Sequence, residues 1–167
     1  MKPLVITLAV DDVAQQHFDA ERTRLFPVGR TQVGAHVTLF HAVPGELEAQ
    51  VRNDLVQACG PRFPVGVAGV LPLGRGAAYA LASPELARRH RALQRQWWPY
   101  LTAQDQQGFR PHVTVQNKVS PAEARATLAL LRRAFRPYEI SATGFVLWRY
   151  DDGPWTELAR FEFPPAG

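Results

Sequence analysis

Cysteine is almost absent from this 167-residue sequence, because Cys59 is the single example. One thiol excludes an internal disulfide and any metal site built from several cysteines. Long hydrophobic runs are lacking too, since no apolar stretch approaches the roughly 20 residues of a membrane-spanning helix. The N-terminal stretch 1–12 reaches acidic residues too early for a signal peptide. We therefore expect a cytoplasmic protein that does not bind membranes.

The sequence also lacks any solid block of one charge. Its net charge is +4, 46% of its residues are hydrophobic and 20% are charged. This balance is typical of a globular protein and argues against disorder and against a coiled coil. The excess of basic residues favours a phosphate-bearing ligand, but it is equally compatible with a role in solubility alone.

Hydrophobic periodicity and turn signals predict four helices and seven extended segments. The stretch 26–34, which contains glycine and proline, is expected to break regular structure. The predicted helices cover 11–25, 47–58, 83–98 and 120–135. The predicted strands cover 3–10, 35–43, 63–73, 77–82, 110–119, 138–150 and 155–163.

The two halves of the chain, about 1–73 and 77–167, repeat one order of elements. Each half reads strand, helix, strand, helix, strand, and each second strand contains the triplet His-Val-Thr. A repeat of this length predicts pseudo-two-fold symmetry within a single domain. We therefore predict an α+β fold with two lobes, each a small sheet with helices packed outside, and a groove between them.

The repeated triplets stand in His36-Val37-Thr38-Leu39 and His112-Val113-Thr114-Val115. Side chains alternate between the two faces of a strand, so the histidine and the threonine of each motif share one face. These polar side chains are costly to bury, and we expect them to meet across the groove. One imidazole would then remove a proton from an attacking water while the other protonates the leaving alkoxide. The hydroxyls would bind the non-bridging oxygens of a phosphodiester.

Such a site needs no cofactor and is a poor metal site, because two histidines stand there without a carboxylate or cysteine at ligand spacing. The doubled motif resembles that of the two-histidine (2H) phosphoesterase superfamily, which includes bacterial proteins named 2'-5' RNA ligases and RNA 2',3'-cyclic phosphodiesterases. The resemblance implies a bilobal α+β fold, His36 and His112 as the acid/base pair, and Thr38 and Thr114 as phosphate ligands. It also implies opening of a 2',3'-cyclic phosphate to a 2'-phosphate, with possible 2'-5' RNA ligase activity. Which histidine is the base stays open.

Residues near the motifs are expected to bind substrate. Strand alternation places Phe40, Gln116 and Lys118 on the groove face, for stacking on a base or holding phosphate, and Arg110 near the strand entrance. The same alternation places His41 on the inner face. Where several relatives carry an arginine shortly after a motif, this sequence has His41 and the stretch 116–118. His17 and His90 lie on predicted helices and are expected to be solvated.

The partner implied by this interpretation is an RNA with a 2',3'-cyclic phosphate end, or a small nucleotide, and we expect a monomer. Two alternatives remain open at this point. One is a module that binds RNA ends or nucleotides without turnover, and the other is a cyclic phosphodiesterase for small nucleotides that does not act on RNA. A bell-shaped pH–rate profile would separate catalysis from simple anion binding.

Overall fold

The computed structural model describes residues 1–29 and 33–167, so the stretch predicted to be irregular lies partly outside the described residues. The fold is α+β, as predicted, with four α-helices and a seven-stranded antiparallel sheet in the described ranges. The strands are β1 Leu4–Val10, β2 Val37–Val43, β3 Phe63–Pro72, β4 Ala77–Ala82, β5 His112–Gln116, β6 Tyr138–Tyr150 and β7 Trp155–Glu162. The helices are α1 Asp12–Leu25, α2 Glu48–Ala58, α3 Pro84–Trp97 and α4 Pro121–Ala134.

Side-chain caps explain where three of the helices begin. Asp11 Oδ1 accepts a hydrogen bond from the Ala14 amide at 2.9 Å at the start of α1. Ser83 and Ser120 cap α3 and α4 in the same manner, and each serine is followed by proline in the first turn. A side-chain acceptor satisfies an otherwise unpaired amide, and proline is preset for the first helical position. These boundaries were predicted from the sequence.

The sheet has the strand order β2-β1-β6-β3-β4-β5, with β7 also paired to β6. Strand β6 is long enough to serve two groups of strands: its residues 138–142 pair with β3, and its residues 142–150 pair with β1 and β7. We call β2, β1, β7 and the end of β6 the first wing. The second wing is β5, β4, β3 and the start of β6.

Strands β2 and β5 stand at opposite ends of this order, yet they contact each other. The sheet therefore curves until its two end strands meet. Because these are the strands that carry the two His-Val-Thr motifs, the curvature brings the motifs together.

The helices cross between the wings. Helix α1 follows β1 in the chain but packs on β5 in the second wing, where α4 also packs on β3 and β4. Helix α3 follows β4 but packs on the first wing, where the His90 ring lies parallel to that of Phe40 at 4.6 Å. Each wing is thus covered partly by a helix from the other half of the repeat, and the wings share one hydrophobic core.

The predicted division into halves 1–73 and 77–167 falls inside the hairpin of β3 and β4, whose strands pair along their length. The halves are consequently joined by strand pairing as well as by helix packing. A pseudo-two-fold relation between them stays a prediction.

Both motif strands contain a β-bulge directly after the threonine. In β2, Thr38 lies opposite Thr7 and Phe40 opposite Ile6, which leaves Leu39 as an extra residue. In β5, Thr114 lies opposite Ala78 and Gln116 opposite Ala77, so Val115 is extra. An extra residue shifts the side-chain alternation of everything that follows it.

Candidate active site

The two motif histidines stand at the starts of the end strands. His36 directly precedes β2, and His112 is the first residue of β5. Both are partly exposed, while the intervening Val37 and Val113 are 2% and 1% exposed. The valines anchor each motif in the core, so each imidazole is held at the beginning of a strand of the sheet.

Both imidazoles are oriented by the same backbone contact. His36 Nδ1 lies 2.8 Å from the Gly34 carbonyl oxygen, and His112 Nδ1 lies 2.9 Å from the Arg110 carbonyl oxygen. A carbonyl oxygen only accepts hydrogen bonds, so Nδ1 carries the proton in each ring. Nε2 is then the nitrogen left to exchange protons, as a base in the neutral ring and as an acid in the imidazolium.

The pKa of His36 is lowered. Burial is the main cause, and the positive charges of Arg22, His41 and His112 act in the same direction, while the hydrogen bond to Gly34 opposes them. Because the charges of His41 and His112 affect the pKa of His36, both side chains lie near His36. A lowered pKa keeps His36 neutral at pH 7, the form that a general base requires.

A groove of about 470 Å³ is lined by residues of both motifs, although neither His36 nor Thr114 is among them. Its walls include Thr38 from β2, and Arg110 and His112 at the start of β5. His36 lines a separate cavity of about 340 Å³ together with Gly34 and Trp148. The Thr38 and Thr114 side chains are partly exposed. The Thr114 carbonyl oxygen accepts a 2.7 Å hydrogen bond from Arg22 Nη1 of α1, which fixes the second motif strand against that helix.

Phe40 does not face the groove, contrary to the prediction from alternation. It is fully buried, stacked on His90 and edge-on to Trp97 at 5.0 Å. The bulge at Leu39 turns Phe40 inward. His90, predicted to be solvated, is buried in the same cluster.

Gln116 is also directed into the core, by the equivalent bulge at Val115. It is 2% exposed, and its Nε2 donates to Thr127 Oγ1 at 2.8 Å. Lys118 was predicted to share its face, but β5 ends at Gln116, and Lys118 is exposed in a left-handed conformation with φ 65°. Arg110 is exposed and lines the groove at the predicted strand entrance.

His41 lies on the opposite face from the one predicted. The bulge that buries Phe40 turns His41 outward, where it lines the groove with Thr38 and His112. Its Nδ1 lies 2.9 Å from Oδ1 of Asp105, a buried carboxylate that also accepts hydrogen bonds from the amides of His41 and Ala42. The sequence held no signal for the bulge or for Asp105.

Trp155 is a second residue that the sequence analysis missed. The hairpin of β6 and β7 brings its ring centroid to 4.7 Å from that of His36 and 5.7 Å from that of Trp148. The Trp148 indole is itself fixed by a 2.9 Å hydrogen bond to Thr7 Oγ1. An aromatic wall therefore supports the imidazole of the first motif.

Within residues 1–29 and 33–167, no group of three or more His, Cys, Asp and Glu side chains is arranged to hold a metal ion. Over the same ranges, none of the helices is both long enough and apolar enough to cross a membrane.

Comparison with known proteins gives one family. The sequence profile of the 2'-5' RNA ligase superfamily matches residues 10–154, most of the chain. No curated protein matches the sequence significantly.

Solved structures show the same fold. TT0787 of Thermus thermophilus is 17% identical, with a TM-score of 0.69 and coverage of 99% of this chain and 100% of that one. A phosphoesterase is 17% identical with a TM-score of 0.66, covering 98% of both chains. LigT of E. coli complexed with 3'-AMP is 20% identical, with a TM-score of 0.64 and coverage of 97% and 98%.

Proposed function

Because this chain belongs to the 2'-5' RNA ligase superfamily, we propose that it is a phosphodiesterase that opens 2',3'-cyclic phosphates to 2'-phosphates. One observation carries the proposal. The curved sheet brings two His-Val-Thr motifs together on its end strands, and both imidazoles are anchored through Nδ1 so that Nε2 is available. A protein of the same fold, LigT, has been solved in complex with the nucleotide 3'-AMP, which supports a nucleotide-like substrate.

The proposed reaction divides acid and base between the two histidines. His36 Nε2 takes a proton from a water molecule as its oxygen bonds to phosphorus. The bond from phosphorus to the ribose 3'-oxygen breaks, and His112 Nε2 gives its proton to that oxygen. The products are a 2'-phosphate and a free 3'-hydroxyl. The lowered pKa of His36 supports its assignment as the base.

The threonine hydroxyls are proposed to bind the non-bridging oxygens of the phosphate. Charge grows on these oxygens as the fifth bond to phosphorus forms, so a donor placed there stabilises the transition state more than the substrate. Arg110, exposed on the same groove, is proposed to attract the anionic substrate.

The test offers a short RNA and a mononucleotide, each ending in a 2',3'-cyclic phosphate, in excess chelator, and identifies the phosphate isomer formed. We expect His36→Asn and His112→Asn each to lower kcat/KM by about 10²- to 10⁴-fold. Asparagine keeps an amide near the position of Nδ1, so the contact to the backbone carbonyl is preserved.

His17→Asn is the matched control, because His17 lies on the exposed surface of α1 and has a distant contact, 3.9 Å, to Glu21. It is expected to match wild type. A 3'-phosphate product, or near wild-type turnover by His36→Asn or His112→Asn, would overturn the proposed mechanism. The preferred substrate decides between RNA ends and small nucleotides.

A further inference from the structure

Outside the two motifs, His41 lines the groove of Thr38 and His112, and one of its ring nitrogens already has a hydrogen-bond partner. Its Nδ1 is 2.9 Å from Asp105 Oδ1. The Asp105 side chain is only 1% exposed, whereas that of His41 is 45% exposed. The arrangement is a buried carboxylate holding a solvent-facing imidazole in one orientation.

Asp105 acts as a hydrogen-bond acceptor, because backbone amides donate to both of its carboxyl oxygens. Burial alone would raise the pKa of this carboxyl, but hydrogen bonds from the His41 ring and from the amides of His41 and Ala42 outweigh burial and lower it. His41 Nδ1 consequently carries a proton and donates a hydrogen bond to Asp105 Oδ1. Nε2 makes no hydrogen bond to any of the residues that the structure describes, and it remains for a ligand in the groove.

His41 repeats the geometry of the two motif histidines. All three rings have Nδ1 bound to an oxygen acceptor, a carbonyl for His36 and His112 and a carboxylate for His41. His41 shares the groove wall with Thr38 and His112, and its charge affects His36. The equivalent position after the second motif is Asn117, whose Oδ1 is occupied by the Lys118 amide.

We propose that His41 is a third substrate-binding histidine, which donates a hydrogen bond from Nε2 to an oxygen of the substrate phosphate, with Asp105 as its positioning residue. An imidazolium at this place lies between two anions, the Asp105 carboxylate and the phosphate, and gives one N–H to each. This role rests on the proposed function, because it assigns a further ligand to the same phosphate.

The experiment compares two substitutions that separate the nitrogens of the ring. His41→Asn retains an amide near the position of Nδ1, which preserves the bond to Asp105 and removes Nε2. His41→Gln places an amide near the position of Nε2 and loses the bond to Asp105. The matched control is His17→Asn, an exposed histidine outside this groove.

We measure kcat/KM for a nucleoside 2',3'-cyclic phosphate, and binding of a nucleoside 2'-phosphate by calorimetry. His41→Asn is expected to weaken both by about 10- to 100-fold, as for loss of a hydrogen bond to a charged group. His41→Gln is expected to recover part of the loss, and thermal unfolding of His41→Asn is expected to match wild type. Wild-type kinetics and affinity in His41→Asn would overturn the proposal.

The role of His41 as a phosphate ligand can be tested even if the proposed function is wrong. If the wild-type protein opens no cyclic phosphate, ¹⁵N NMR of the His41 ring is followed during titration with nucleoside 2'-phosphate and with inorganic phosphate. A saturable change at Nε2 that exceeds the change at His17 supports His41 as a phosphate ligand. No change at His41 overturns it.

Discussion

The lowered pKa of one imidazole, that of His36, determines the pH dependence that we expect for kcat/KM. The ordinary pKa of histidine is about 6.5, and burial lowers that of His36. With His36 as the base of the free enzyme, kcat/KM falls in acid because activity is lost when Nε2 is protonated. The midpoint of this acid limb is expected below about pH 6.5.

The measurement is a pH profile of kcat/KM from about pH 5 to pH 9, combined with an NMR titration of His36. The two midpoints are expected to agree. An acid limb with its midpoint above about pH 6.5 would exclude His36 as the base. So would a midpoint that differs from the one measured for His36 by NMR.

At this scale, pattern and chemistry in the sequence predict His36, Thr38, His112 and Thr114 as the catalytic residues. Their roles stay predictions until turnover is measured. The predictions for Phe40 and Gln116 are wrong, because they assumed strict side-chain alternation beyond the β-bulge that each strand contains. A bulge depends on pairing with a distant strand, and one strand's sequence does not encode it locally.

The bounds of most helices and strands lie close to those predicted, because caps, prolines and hydrophobic periodicity depend on the local sequence. Strand β5 is the main exception, predicted over 110–119 and observed as His112–Gln116. The strand order was not predictable, because it depends on long-range pairing through β6. The exchange of α1 and α3 between the wings was missed for the same reason.

Helix α1 influences both motifs through Arg22. The guanidinium donates to the carbonyl oxygens of Val33 and Thr114, and its charge lowers the pKa of His36. We predict that Arg22→Met raises the pKa of His36, moves the acid limb of kcat/KM to higher pH, and costs about 1–3 kcal/mol of stability through unpaired carbonyls.

Arg22→Lys is the matched control, since it keeps the charge but loses the planar guanidinium. Its acid limb is expected to stay close to wild type. If the limb moves equally in both variants, the effect comes from altered packing of α1 rather than from charge.

The bulge in β2 predicts a structural role for Phe40. Its ring is enclosed by His90 and Trp97 of α3, so Phe40→Ala is expected to lower the free energy of unfolding by about 3–5 kcal/mol. Trp98→Ala, at an aromatic residue that is 46% exposed, is expected to change it by about 0.5 kcal/mol or less. Urea unfolding compares the two, and a small loss in Phe40→Ala would contradict the core assignment.

For the whole molecule, the lowered pKa values of two histidines predict loss of stability in mild acid. Burial lowers the pKa of both His36 and His90 in the folded state. Between the folded pKa values and the unfolded value of about 6.5, the unfolded chain binds more protons, so the free energy of unfolding falls as pH falls. Asp105, with its lowered pKa, adds a further loss only at lower pH, around and below its unfolded value of about 3.9.

Urea unfolding at about pH 7.5 and pH 5.5 measures this effect. Wild type is expected to be less stable at the lower pH, and His36→Asn is expected to show a smaller difference between the two conditions. Equal stability of wild type at both pH values would contradict the lowered pKa of these histidines.

The position of β6 in the chain also bears on synthesis by the ribosome. Both wings need this strand, β3 through its start and β1 through its remainder. A nascent chain that has emerged only as far as α4 contains both motifs but lacks the strand that pairs with both β1 and β3. Both histidines are therefore translated before the strand that completes the sheet, and we expect a product truncated after α4 to expose unpaired strand edges and to aggregate.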